Sequence, residues 1–268
     1  FFVNNIEKVF ESLKKNNRKA LITYSVAGDP DLDSSEKIIR NFISSGVDII
    51  EVGVPFSDPM AEGPSIQLGH ERALKNNISL PNILDMCSKI KNDFPETPIV
   101  LMGYMNNFLS LKNNLFKELK KNKIDGLIIV DLPYVESEEF LKKLNDEGVD
   151  LIRLISPTTT NERIKKILTS SSGYLYYISL KGVTGSDLKV SDELEKRVLG
   201  IKNQTNLPVV VGFGIKDAET AKKMSMCSDG VVVGSKLVDE ISKHSLDKDN
   251  LLKENLTSII GELREGIS

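Results

Sequence analysis

The chain has 268 residues, 40% hydrophobic and 27% charged, with a formal net charge of −3 at pH 7. That composition is ordinary for a globular protein and long enough for one large α/β domain or two small ones. No basic stripe points to nucleic acid, and no apolar stretch reaches membrane-spanning length.

The opening FFVNNIEKVF lacks a basic region followed by an apolar run, so no signal peptide is expected. The chain starts on Phe1 instead of Met, which reads as a trimmed start and leaves a removed organellar transit peptide open. Lys/Asn runs at 14–17 and 111–114 read as solvated surface. Cys87 and Cys227 lie far apart, which suits a reducing, cytoplasmic compartment and indicates no disulfide framework.

Beyond an extra N-terminal helix, short runs rich in Val, Ile, Leu and Tyr alternate with helical segments. Strands are expected over 21–25, 48–54, 98–102, 126–131, 150–155, 174–179, 208–212 and 230–233. The Gly28–Asp29–Pro30 tripeptide reads as a turn capped by Asp29. Asp33 to Glu36 resembles a capping box, followed by Ile38, Ile39, Phe42 and Ile43 on one helical face and Gly46 as a left-handed stop. The segment from Ser137 through Phe140, Leu141 and Leu144, closed by Gly148, repeats that logic, and so does Asn161 ahead of Ile164, Ile167 and Leu168.

Eight strand–helix units without a low-complexity linker predict an α/β fold. It is a (β/α)8 TIM barrel, a single domain over 1–268, with a short phosphate-binding helix after strand eight. A doubly wound open sheet is the rival, weakened by the absence of strong nucleotide-binding glycine loops.

The second strand carries a carboxylate in an apolar run. Side chains alternate with period two, so Ile50, Val52 and Val54 suit the helix layer, and Ile49, Glu51 and Gly53 point into the barrel. Glu51 then lies near the C-terminal end, where barrel active sites form. Desolvation there raises a carboxyl pKa toward the range of a general acid/base. The alternative is a structural Glu paired with a lysine or capping backbone N–H groups. Asp131, Tyr104, Tyr174 and Tyr176 are further polar groups at strand ends, and together they imply a pocket. Glycines follow strands six, seven and eight. Gly185, Gly214, Gly234 and Ser235 fit an anion site in which backbone N–H groups and a helix N-terminus face a phosphate. His70 and His244 read as surface residues, and with two distant cysteines they give no metal cluster.

EVGVPFSDPMAEGP at 51–64 resembles the signature of the tryptophan synthase alpha subunit family. AGDP (27–30), Gly103 with Tyr104, VDLP (130–133), GVTG (182–185), GFGI (212–215) and GS (234–235) follow in the family's order and spacing. The resemblance implies a lyase that splits indole-3-glycerol phosphate into indole and glyceraldehyde 3-phosphate. By the same resemblance, Glu51 is the acid/base and Glu62 the second carboxylate, which assists loss of the indole N–H. Tyr24, Tyr104 and Tyr176 line the substrate pocket, to which the strand-end position of Asp131 adds a polar group, and Thr184 helps close a loop over Glu62. Gly185, Gly214, Gly234 and Ser235 hold phosphate. Asp58 faces a beta subunit within an alpha2-beta2 heterotetramer. No cofactor is implied here, since the pyridoxal phosphate belongs to that partner. Glu62 stands where the family usually has Asp, and Val26 where Thr is common. The rivals are a free-standing lyase, a weakened barrel that mainly activates its partner, and another phosphate-binding barrel enzyme.

Overall fold

A computed structural model describes residues 4–178, 188–212, 214–243 and 249–268. Along the chain run α1 (Asn5–Lys15), β1 (Ala20–Val26), α2 (Leu32–Ser44), β2 (Ile49–Gly53), α3 (Pro64–Leu74), α4 (Leu80–Asp93) and β3 (Ile99–Gly103). They continue through α5 (Met105–Leu109), α6 (Leu115–Lys121), β4 (Gly126–Ile129), α7 (Tyr134–Asp146), β5 (Asp150–Ile155), α8 (Asn161–Thr169) and β6 (Leu175–Ile178). The last are α9 (Leu188–Lys202), β7 (Val209–Gly212), α10 (Ala218–Cys227), β8 (Gly230–Val233), α11 (Ser235–Ser242) and α12 (Asp249–Gly266).

The strands pair in parallel and in order, and β8 returns to β1, closing the barrel. The predicted alternation sorts the core into two clusters. Ile22, Tyr24, Ile49, Val100, Ile128, Ile152, Tyr174, Val210 and Val232 fill the barrel interior. Leu21, Ile50, Val52, Val54, Leu101, Leu127 and Val211 pack with the surrounding helices. Glu51 therefore projects inward from β2, as its strand position required.

The N-terminal ends of the strands are plugged. Ile6, Phe10 and Leu13 lie on one face of α1 and join the interior cluster. A Cβ on Gly126, the first residue of β4, would lie 3.2 Å from Ile6 Cδ1. Asn5 Nδ2 donates to Asp125 Oδ1 at 2.9 Å, tying α1 to the same end. Each buried apolar side chain of α1 contributes about 1.5–3 kcal/mol. α1 thus covers the middle of that end, beside an open cavity of about 1000 Å³ lined by Phe10, Leu13, Lys14, Asp150 and Pro208.

Several boundaries differ from expectation. The N-cap of α2 is Asp31, whose Oδ1 accepts from Ser34 N at 2.9 Å, not a box built on Asp33. Thr160 caps α8 by accepting from Arg163 N, one residue before the expected Asn161. Asp29 does not cap its turn. It is buried and takes two 2.7 Å bonds from the Arg72 guanidinium on α3. β4 stops at Ile129, two residues short of Asp131. The helix stops at Gly46 and Gly148 hold, with φ of +94° and +74°.

Candidate active site

Glu51 is the third of five residues in β2 and is completely buried. Burial pushes its carboxyl up from an ordinary 4.5 to about 8, opposed only by a hydrogen bond that Tyr174 Oη donates to Oε1 at 2.6 Å. Tyr174 immediately precedes β6, and its ring packs on Phe10 of α1 at 5.8 Å between centroids. The plug helix thus backs the tyrosine that holds the carboxyl. Glu51 Oε2 is buried with no hydrogen-bond partner among the described residues. A carboxyl fixed by one oxygen, with the other unengaged and a pKa near neutrality, is equipped both to deliver and to take a proton.

Glu62 comes from the loop between β2 and α3. Its Oε2 accepts a short hydrogen bond from Tyr104 Oη, and its Oε1 is buried without a partner among the described residues. Desolvation raises the Glu62 pKa, and the Tyr104 bond works against that rise. Tyr104 Oη also accepts from Ala61 N at 3.1 Å, and its ring stacks on Phe56 at 4.6 Å. Asn107 completes the clamp. Its Oδ1 accepts from Tyr104 N at 3.0 Å, and its Nδ2 donates to Pro55 O at 3.0 Å. The loop after β3 therefore fixes the loop that carries the second carboxylate.

Tyr24 of β1 pairs in register with Glu51. Its ring lies over the inner face of β2, where a Cβ on Gly53 would meet Tyr24 Oη at 2.2 Å. Burial raises the Tyr24 pKa first, and the charges of Glu62 and Glu51 add to it. Tyr176 is placed in the same way over Gly212, whose Cβ would meet its Oη at 2.2 Å, and it too feels Glu51 and Glu62. Glycine at 53 and 212 leaves room for these two phenols beside the carboxylates.

At the predicted phosphate end, α11 begins at Ser235 with Gly234 as its N-cap. Its first backbone N–H groups have no partner within the helix, and its dipole favours an anion. Gly214 adopts φ +78°, open to glycine at little cost. A Cβ on Gly234 would lie 3.4 Å from Tyr24 Cβ, so this end adjoins the pocket tyrosine. Thr184 and Gly185 lie outside the described residues.

Two other expected residues lie at the surface, and a third does not. Asp131 is exposed, and its Oδ1 accepts from Met105 N at 2.7 Å, at the first turn of α5. Asp58 is exposed on the loop before α3, beside Met60, which is 76% exposed. His70, expected at the surface, is 2% exposed and bonded on both ring nitrogens, to Phe56 N and Tyr24 Oη. Its position four residues after Ile66 and three before Ala73 is the inward face of α3, a periodic signal the sequence did contain. Tyr174 was visible as sharing a strand face with Tyr176, and it is Tyr174 whose hydroxyl bonds Glu51. Among the described residues no group of three or more His, Cys, Asp or Glu converges as a metal site. Nor is any described helix long and apolar enough to cross a membrane.

Comparison with known proteins agrees with the barrel fold. A family profile described as "Tryptophan synthase alpha chain" matches residues 10–267. The tryptophan synthase alpha chain of Marinobacter nauticus is 46% identical over 266 residues, covering 99% of this chain and 98% of that one. The protein of the same name from Aromatoleum aromaticum is 40% identical, covering 99% and 97%. The crystal structure of tryptophan synthase subunit alpha from Legionella pneumophila str. Paris superposes with a TM-score of 0.90 at 36% identity, covering 99% of this chain and 98% of that one. The chain belongs to the tryptophan synthase alpha chain family.

Proposed function

We propose that Glu51 and Glu62 divide the proton transfers of the lyase reaction between them. The chain cleaves indole-3-glycerol phosphate to indole and glyceraldehyde 3-phosphate in tryptophan biosynthesis. Near neutrality Glu51 enters protonated, because burial holds its pKa at about 8. It delivers that proton to indole C3 while Glu62 accepts the indole N–H, giving a neutral indolenine. Glu51, now a carboxylate, takes the proton from the glycerol hydroxyl on the carbon joined to indole C3. The carbon–carbon bond breaks, the hydroxyl carbon becomes the aldehyde, and the ring nitrogen regains its proton from Glu62. Both carboxyl groups end as they began.

Tyr24, Tyr104 and Tyr176 enclose the indole in this reading. Gly214, Gly234 and Ser235 take the phosphate, with Thr184 and Gly185 contributed by the loop after β6 and Asp131 at the pocket edge. The observation that carries the assignment is the pair of buried carboxylates, each held by one tyrosine hydroxyl with its second oxygen unengaged. Asp58 and the exposed Met60 on the β2–α3 loop form the contact with a beta subunit in an alpha2-beta2 assembly, to which indole passes, in the cytoplasm. A solved structure of tryptophan synthase from M. tuberculosis superposes on 99% of this chain with a TM-score of 0.85 at 29% identity. The test is indole release from indole-3-glycerol phosphate by the full chain, with and without a beta subunit. Release that rises on adding the partner supports the reading; release that is absent in both conditions overturns it.

A further inference from the structure

His70 is a buried imidazole that the proton transfers above do not use. Its Nδ1 accepts a hydrogen bond from the backbone N–H of Phe56 at 3.1 Å. A nitrogen that accepts carries no proton, so the neutral ring keeps its proton on Nε2. Nε2 lies 3.3 Å from Tyr24 Oη. The imidazole N–H therefore donates to the phenol oxygen, and the phenol cannot donate back. Burial holds the His70 pKa down at about 4, so the ring stays neutral through the physiological range.

The Tyr24 proton must then point elsewhere. The other polar groups that act on this phenol are Glu62, Glu51, Tyr104 and Tyr176, all of them pocket residues. The hydroxyl sits over Gly53, two residues beyond Glu51 on the inner face of β2. The same imidazole also holds the start of the loop that carries Glu62, through Phe56, whose ring stacks on Tyr104.

We propose that His70 is a positioning residue: by accepting at Nδ1 and donating at Nε2, it fixes the Tyr24 hydroxyl as a donor into the space between the two carboxylates. Tyr24 is thereby a polar contact for the reacting indole–glycerol junction as well as a wall of the indole pocket. This rests on the assignment of Glu51 and Glu62 to the reaction.

The experiment is a double-mutant cycle on the full chain assayed with its beta subunit. His70→Asn keeps an acceptor near the Phe56 N–H but cannot reach Tyr24. Tyr24→Phe removes the hydroxyl and keeps the ring. Loss of one hydrogen bond predicts that each variant lowers kcat by about 3- to 10-fold with KM within about twofold, and that the double variant is no slower than either single one. Multiplying effects, or full kcat in His70→Asn, would overturn the proposal. If His70→Asn does not fold, nitrogen NMR of the labelled wild-type imidazole decides. The proposal requires a protonated Nε2 and bare Nδ1 across neutral pH, and a protonated Nδ1 contradicts it. Near-normal turnover in Glu51→Gln would instead remove the carboxylate assignment and leave the His70 cycle readable by itself.

Discussion

Tyr174 and Glu51 meet inside the barrel through a 2.6 Å hydrogen bond between residues 123 positions apart in the chain. The phenol stabilises the charged carboxylate, and burial favours the neutral acid. The balance leaves the Glu51 pKa at about 8, where both proton transfers proposed for it are feasible.

Tyr174→Phe removes the donor and leaves the ring on Phe10. The Glu51 pKa then rises further, because the interaction that lowered it is gone. In the pH dependence of kcat/KM, the limb that reports Glu51 moves upward. The rate at pH 7 falls by about tenfold, the scale of one hydrogen bond to an ionisable group. An unmoved limb would mean that another group sets it.

Glu51 also makes the fold pH-sensitive. Its folded pKa of about 8 lies above the ordinary 4.5. Below about 4.5 both states hold the proton and Glu51 has no effect on stability. Between about 4.5 and 8 the unfolded chain releases the proton and the folded one keeps it, so stability falls as pH rises, and it levels off above 8. A shift of that size is worth a few kcal/mol at about 1.4 kcal/mol per unit. Glu51→Gln removes the dependence but buries an amide. It should match wild type near pH 4 and exceed it by about 1–3 kcal/mol at pH 8.5, as read by denaturant unfolding at the two pH values.

The inward carboxylate was legible because alternation in β2 leaves no choice: burying Ile50, Val52 and Val54 against helices turns Glu51 to the lumen. The short helix after β8 was legible from the Gly234–Ser235 pair, and α11 does begin at Ser235. What sequence did not reveal was decided by contacts between distant segments. Asp31, Asp33, Ser34 and Ser35 are all competent caps, and only the path of the chain out of β1 selects Asp31. His70 stands among polar neighbours, and its burial depends on α3 folding back over β1, where Arg72 also grips Asp29. Glu62 gains its meaning from Tyr104, 42 residues later, which no local pattern predicts.

Tyr104→Phe tests that last pairing. It keeps the stack on Phe56 but deletes the bonds to Glu62 and Ala61 N. The Glu62 loop loses its fixed geometry, and a misplacement of about 1 Å can cost on the order of 100-fold. We expect kcat to fall by 10- to 100-fold, with the melting temperature lowered by only a few degrees. Steady-state kinetics beside thermal unfolding separates these effects; equal kcat would remove Tyr104 from the account.

Ser235→Asp places a negative charge at the first residue of α11, where the phosphate is assigned. Repulsion should raise KM for indole-3-glycerol phosphate by about tenfold or more, the scale set by a like charge at short range. The isolated helix gains slightly from an acid at its N-terminus, so stability should not fall. A KM equal to wild type would place the phosphate elsewhere.

Single-turnover cleavage of indole-3-glycerol phosphate by Glu51→Gln, measured in the complex with a beta subunit, tests the central assignment most directly. Glutamine keeps the volume and the acceptor for Tyr174 but can neither deliver nor take a proton. The account predicts substrate affinity near that of wild type and a chemical step slower by about 10²–10⁴-fold. Cleavage within about twofold of wild type would contradict it.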